Sequence, residues 1–369
     1  MEFRKLQKNE HIKTRKLWEE IFTEDSAQFL DYYYEVKTAE NEIFVAEDNG
    51  TVRSMLQLNP YRLHLGDEVV DAKYIIAVAT DEKYRHQGLM AALLKMSMGQ
   101  MYDNGEPFTF LMPAAEAIYR PFDFRYIYAQ KQTCIEAVDK KESPDRKGFW
   151  EDAKREDLKE LAVFAEEMLR SKYTVYAVRD EHYYEVMLKE QQSENGGIRV
   201  LRHDGQIAGC FFYEVAENCA VREPLIRPGF EEEFEREVRA MSKGKKVPCL
   251  AGTEGKEKPM IMARILCLKS LLESLRVSEK MEVSFGIDDP ILSGNCGGYH
   301  LSASAGEKIS VQKISSEDTC QPDIPVALLT EVLFGYKGPA VLQGITSPEV
   351  LEEIGKIILA SPVFLNEIV

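Results

Sequence analysis

Apolar positions along the chain follow two spacings. In HIKTRKLWEEIF and SAQFLDYYYEVK they fall three and four residues apart, the spacing of one helix face. EIFVAEDNGTVRSMLQLNPYRLHLGDEVVDAKYIIAVAT instead has the run-and-turn pattern of three strands, with Asn49-Gly50 and Gly66-Asp67 as turns. A polar loop with Arg85, His86, Gln87 and Gly88 follows, then the helical LMAALLKMSMGQM, the strand PFTFLMP and the segment FRYIYAQKQTCIEAV. Residues 1–140 therefore predict a mixed α/β unit.

KKESPDRKG, residues 140–148, is polar and turn-rich and reads as a linker. A second block over 145–257 repeats the order of the first. REDLKELAVFAEEMLRSK and EHYYEVMLKEQQ are helical, and GIRVLRHDGQIAGCFFYEVAENCAVREPLI gives strands around an Asp204-Gly205 turn. Its acidic helix, FEEEFEREVRAMSK, has the pattern of a solvated face. RVLRHDGQIAGCFF echoes FVAEDNGTVRSMLQL, but the block has no counterpart of the YRHQG loop, so it predicts a duplicated fold without the ligand loop. A third block over 258–369 begins with a strand running into a helix, PMIMARILCLKSLLESL. It continues with strands joined by Gly, Asp and Asn turns, then the helices PVALLTEVLFGY and SPEVLEEIGKII, and ends on SPVFLNEIV.

Length and composition narrow the classes. A chain of 369 residues fits two or three domains. Its apolar runs are too short to span a bilayer, and the polar start MEFRKLQKNEHIKTRKLW has no apolar signal core, which predicts a cytoplasmic protein that does not enter membranes. Seven scattered cysteines without a CxxC pair or an accompanying His cluster predict reduced, mostly buried thiols and no metal site. The formal net charge of −16 argues against a nucleic-acid partner and is compatible with a cationic substrate.

The loop between strand and helix has the makings of an anion site. Amides of a first helical turn are unpaired and the helix dipole favours negative charge. Gly88 lets backbone approach a ligand closely, and Arg85 adds a cation. A plain strand–turn–helix connection would carry a glycine too. There is no GxxxxGK[ST] and no GxGxxG after a first strand, so nucleotide and dinucleotide loops are disfavoured.

YRHQGLMAALL resembles the acetyl-CoA loop of GNAT N-acetyltransferases, Arg/Gln-x-x-Gly-x-Gly/Ala, with Arg85 and Gly88 matching and Met90 in place of the usual small residue. Together with NPYRLHLGDEVVDAKYIIAVATDEKYRHQGLMAALL, AIYRPFDF, KPMIMARI, LLTEVLFGY and FLNEIV in that order, it makes the whole chain similar to the Eis-like (enhanced intracellular survival) acetyltransferases. The resemblance implies an α/β (α+β) fold: tandem GNAT-fold domains followed by a sterol-carrier-protein-like domain. It implies acetyl-CoA as co-substrate, a small primary amine (aminoglycoside-, polyamine- or lysine-like) as acceptor, and a closed homo-oligomer, a hexamer in many such proteins. By resemblance, Val78, Ala79 and Thr80 pair with pantetheine and polarise the thioester. Arg85, His86, Gln87, Gly88, Leu89, Met90 and Ala91 hold the pyrophosphate, and Ala114 and Ala115 lie beside the pantetheine. Tyr119 in AIYRPFDF is the implied general acid, a phenol suited to protonating a thiolate. Asp123 stands where the family usually has glycine. The implied base is the chain-end carboxylate of Val369, with Asp25 and Glu116 as side-chain alternatives. Phe22, Asp25, Phe29, Tyr33 and Tyr34 are the implied aromatic and acidic amine pocket, and are equally readable as core. Competing readings are transfer of a longer acyl chain, or an apolar-ligand-binding protein with a vestigial GNAT domain.

Overall fold

The computed structural model describes residues 1–136, 146–215, 219–242, 244–315 and 320–367. In the first block the strands are β1 (Glu2–Lys5), β2 (Glu42–Asp48), β3 (Thr51–Leu65), β4 (Glu68–Thr80), β5 (Phe108–Leu111) and β6 (Arg125–Ile135). The helices are α1 (Arg15–Ile21), α2 (Ala27–Glu35), α3 (Leu89–Asp103) and the single turn α4 (Glu116–Tyr119). Asn49 and Gly50 both take positive φ, as a tight two-residue hairpin turn requires. The start of the first predicted helix is tighter than an α-helix, since residues 8–14 form a 3-10 segment. Ser26 caps α2 by accepting the Phe29 amide at 3.0 Å.

The second block supplies β7 (Phe149–Asp152), α5 (Leu158–Arg170), β8 (Val175–Ala177), α6 (Glu181–Ser193), β9 (Gly197–His203), β10 (Gln206–Val215), β11 (Cys219–Ile226), α7 (Glu231–Met241) and β12 (Val247–Leu250). Beyond it lie β13 (Lys256–Ile265), α8 (Leu268–Glu273), β14 (Met281–Asp288), β15 (Gly297–Ala303), β16 (Ser310–Ile314), β17 (Cys320–Pro325), α9 (Val326–Leu333), α10 (Pro348–Ile354) and β18 (Val363–Phe364). Most of the linker expected at 140–148 lies outside the described residues.

One sheet runs through both halves of the chain, in the order β1-β2-β3-β4-β5-β13-β6-β12-β11-β10-β9-β7. The strand that opens the third sequence block, β13, is thus inserted between β5 and β6, antiparallel to both. β6 carries the sheet onward by pairing with β12. A separate four-stranded sheet, β16-β15-β14-β17, belongs to the third block. Residues 363–367 return to the middle of the molecule, where β18 pairs in parallel with β8 and β8 with β3. Of the described cysteines, Cys210 and Cys249 are buried, whereas Cys134 is exposed and three others are half-buried, fewer buried thiols than the sequence suggests. No described helix is long and apolar enough to cross a membrane, and no described group of His, Cys, Asp and Glu is arranged to hold a metal.

Candidate active site

The end of β4 is deformed in a specific way. Met55 pairs with Ala79 and Gln57 with Ile76, so Leu56 faces both Ala77 and Val78, a β-bulge. Ala77 takes φ 51° to make it. β4 pairs with β5 only at Lys73–Thr109 and Tyr74–Phe110. Past Tyr74 the two strands splay, and the β5-facing edge of residues 75–80 has no strand partner among the described residues. Alternate side chains of this stretch reach opposite faces. Ala77 and Ala79 pack under α1 and α2 with Trp18 and Phe29, whereas Val78 packs on the other side with Met90 and Tyr119.

The chain leaves β4 through a short turn in which Asp81 accepts the Lys83 amide at 3.0 Å. Arg85, His86, Gln87 and Gly88 are exposed, and His86 and Gly88 take φ 61° and 79°. A Cβ on Gly88 would meet no atom within 4 Å, so the space over the loop is open. Buried Leu89 anchors the start of α3, and the amides of Leu89, Met90 and Ala91 lie in its first turn, where no intrahelical acceptor exists. Ala114 and Ala115 are exposed just beyond β5, across the splay. An unpaired strand edge for amide groups, a cradle without a Cβ and a first-turn amide set beside Arg85 fit a pantetheine chain that ends in a pyrophosphate.

Tyr119 ends α4 and is buried in a cluster with Ile75, Leu93, Leu111 and Phe124. The Phe124 ring meets it edge-on at 5.9 Å. Its hydroxyl has no hydrogen-bond partner among the described residues, and burial pushes the phenol up to about 12. The turn after it ends on Asp123, which holds φ 63°.

The implied amine-pocket residues divide. Tyr33 lies in the core, its hydroxyl donating to Asn59 and accepting from Asn41, both at 3.0 Å. Tyr34 is half-buried with its hydroxyl 2.8 Å from that of Thr14, and half-buried Phe22 packs on Trp18. Asp25 and Phe29 line a cavity of about 200 Å³ together with Glu24, Glu190, Glu194, Glu214 and Arg222. Burial raises the carboxyls of Asp25, Glu190 and Glu194; the Trp18 N–H on Asp25, at 2.6 Å, opposes its rise. Carboxylates crowded this way are relieved by an incoming cation. The second-block members were not singled out by the sequence, where Glu190 and Glu194 resemble ordinary helix-surface charges.

Ile368 and Val369 lie outside the described residues. The residues before them are buried: Gln130 donates to Asn366 at 2.8 Å, and Glu367 accepts from Tyr183 at 3.4 Å and lies 3.5 Å from Arg179. Burial lifts Glu367 to about 7, against the pull of Arg179.

Residues 2–127 match the acetyltransferase (GNAT) domain family, and residues 268–358 match the sterol carrier protein domain. The chain carries a GNAT acetyltransferase domain joined to a sterol carrier domain. No curated protein matches it in sequence. Its fold is shared with a probable N-acyltransferase from Enterococcus faecalis (17% identity, 96% of each chain covered, TM-score 0.83). It is shared also with a GCN5-related N-acetyltransferase from Anabaena variabilis (14%, 98% of each, 0.80) and with Eis1 from Mycobacterium abscessus (14%, 98% of each, 0.69). The resemblance read from the sequence and the α/β fold class stand on these matches.

Outside the GNAT domain, the second block repeats the bulge. Cys210 pairs with Leu225 and Phe212 with Arg222, so Phe211 faces both Glu223 and Pro224, and Glu223 takes φ 53°. β11 runs parallel to β12 for two residues, as β4 does to β5. A cavity of about 400 Å³ opens beyond, lined by Pro224, Ile226, Phe234 and Cys249. The helix that follows starts with Glu231, Glu232 and Glu233, which repel a pyrophosphate where the GNAT domain offers bare amides. A cavity of about 700 Å³ lies at the opposite end of the β4–β5 pairing from the splay, lined by Ala72 and Lys73 in the middle of β4, with Lys37, Tyr61 and Tyr183. From Ala72 to Ala79 the strand runs roughly 20 Å.

Proposed function

We propose that this protein transfers the acetyl group of acetyl-CoA to a primary amine on a cationic small molecule, without a covalent enzyme intermediate. The bulged, splayed end of β4 aimed at the open first turn of α3 carries the reading. GNAT domains use acetyl-CoA as co-substrate, which supplies the activated acyl group when bound. The chain's own part is to hold and to move protons. Backbone groups of Val78, Ala79 and Thr80 align the acyl end and offer an amide to the developing negative charge. Arg85, Gly88 and the amides of 89–91 hold the phosphates. The carboxylates around Asp25 and Glu190 draw in the ammonium group, beside the face of β4 that carries Ala77 and Ala79. Tyr119 reaches the splay from the other face with a proton for the departing sulfur. The attacking amine gives up its proton to a base, the carboxylate of Val369 in this reading, or Asp25.

A thiol-release assay with acetyl-CoA and a panel of polyamines, aminoglycosides and lysine esters tests this. Release that depends on a polycationic amine is the expected result. No release with any amine, alongside measured acetyl-CoA binding, would remove amine acetylation. Turnover only with longer acyl-CoA would move the reading to another acyl group.

A further inference from the structure

Arg264, on β13, is the largest fully buried side chain of the described residues. Each of its three guanidinium nitrogens has an acceptor. Nη1 donates to the Ile265 carbonyl at 2.6 Å, Nη2 to Asp289 Oδ1 at 2.5 Å, and Nε to the Phe122 carbonyl at 3.0 Å. The Asp289 carboxylate is held in turn: Oδ1 accepts the amides of Ile291 and Leu292 at 3.0 and 2.8 Å, and Oδ2 accepts Asn295 Nδ2 at 2.9 Å. Asn295 closes the knot by donating to the Leu266 carbonyl at 2.6 Å and accepting the Leu268 amide at 3.1 Å. Three distant segments are thereby fixed together: β13, the sterol carrier loop 289–295, and the turn that follows Tyr119.

The Tyr119 hydroxyl lacks a hydrogen-bond partner among the described residues, so its position depends on ring packing and on the backbone that carries it. That backbone is the turn 120–123, closed by Asp123 N–H to Arg120 at 3.1 Å and forced through a left-handed residue. Its outward carbonyl, that of Phe122, is the one Arg264 holds. The same sterol carrier loop also packs Leu292 into the cluster that contains the Tyr119 ring.

We propose that the Arg264–Asp289 pair positions Tyr119 for proton donation, and that Asp289 is the sterol carrier domain's contribution to acyl transfer. Arg264 and Asp289 are positioning residues: neither touches the reacting atoms. The inference rests on Tyr119 being the general acid.

The test is a double-mutant cycle between Asp289→Asn and Tyr119→Phe, repeated with Arg264→Lys. Asp289→Asn keeps the shape and one acceptor but loses the charge. It should lower kcat about 10-fold or more, since small misplacements of a reacting group carry large rate costs, with acetyl-CoA affinity changed less than about 2-fold. With Tyr119→Phe already present, the same substitution should cost less than about 2-fold further, because there is no proton left to misplace. Independent, multiplying effects would overturn the inference while leaving Tyr119 as the acid. Wild-type kcat in Tyr119→Phe would overturn both. If Arg264→Lys does not fold, amide exchange in Asp289→Asn gives a second measure: faster exchange confined to Asp123 and Phe124 supports the proposal, and unchanged exchange there overturns it.

Discussion

Gly88 shows how much one residue can settle. Its φ of 79° favours glycine, and nothing lies within 4 Å of the Cβ it lacks. Gly88→Glu should therefore leave the fold standing at a cost of about 1–2 kcal/mol for the left-handed backbone, while placing a carboxylate over the loop proposed to hold the phosphates. Calorimetry should find acetyl-CoA binding lost and the thermal transition retained; binding at wild-type affinity would take the loop out of the site. Tyr119→Phe removes one oxygen from a buried ring. The expected loss in kcat is ~10²–10⁴-fold, with acetyl-CoA affinity kept, and near-normal turnover would leave Tyr119 as packing. Because burial raises this phenol to about 12, it stays protonated through the neutral range and donates there. Any falling limb of the pH–rate profile below pH 10 must then survive in the Tyr119→Phe enzyme. Both residues were singled out from local patterns, a loop and the octapeptide AIYRPFDF. The acidic cavity was legible only in part. Asp25 and Phe29 stand in a short stretch of sequence, whereas Glu190, Glu194 and Glu214 come from more than 150 residues further on, where spacing alone cannot tell a cavity wall from a solvated face.

Strands and hairpins could be read because their signals are short-range. Asn49-Gly50 and Asp204-Gly205 fold as tight turns, and the alternating runs beside them pair with the register those turns dictate. The bulges at Ala77 and Glu223 left no such mark: both depend on which neighbour each strand meets. Their recurrence gives the two halves the same splayed cleft with opposite charge at the helix start. The consequence is a stoichiometry. Titration calorimetry should give one acetyl-CoA per chain, with the single site abolished by Gly88→Glu and untouched by Phe234→Ala, which opens only the second cleft. Two sites per chain, or loss of binding in Phe234→Ala with the fold intact, would contradict the assignment of the cofactor to the first cleft alone.

At the scale of the molecule, the centre is where chain segments from every block meet, and a buried carboxyl there ties stability to pH. Glu367 is lifted from an ordinary value of 4.5 to about 7, so its stabilising contribution is complete below the unfolded value and is lost as pH rises through the folded one. Wild type should therefore lose stability relative to Glu367→Gln as pH rises from 5 to 8, measured by urea denaturation of both proteins at each pH. Equal pH dependence would place Glu367 in a more solvated setting. None of this could be read from FLNEIV, where the glutamate looks like a surface residue; its environment is made by Arg179, Tyr183 and Glu223 from elsewhere in the chain. The sheet is interleaved in the same manner. A fragment of residues 1–136 would leave β5 and β6 with open edges where β13 belongs, and should aggregate when expressed alone. Interleaving of this kind also restricts what heredity can do with the gene. A recombination point in the polar stretch after Ile135 would pass on a sheet missing a middle strand, so exchange of the second half has to carry residues 146–265 as one block. Substrate range in such a lineage should drift by point substitution along the cavity walls more readily than by the shuffling of modules.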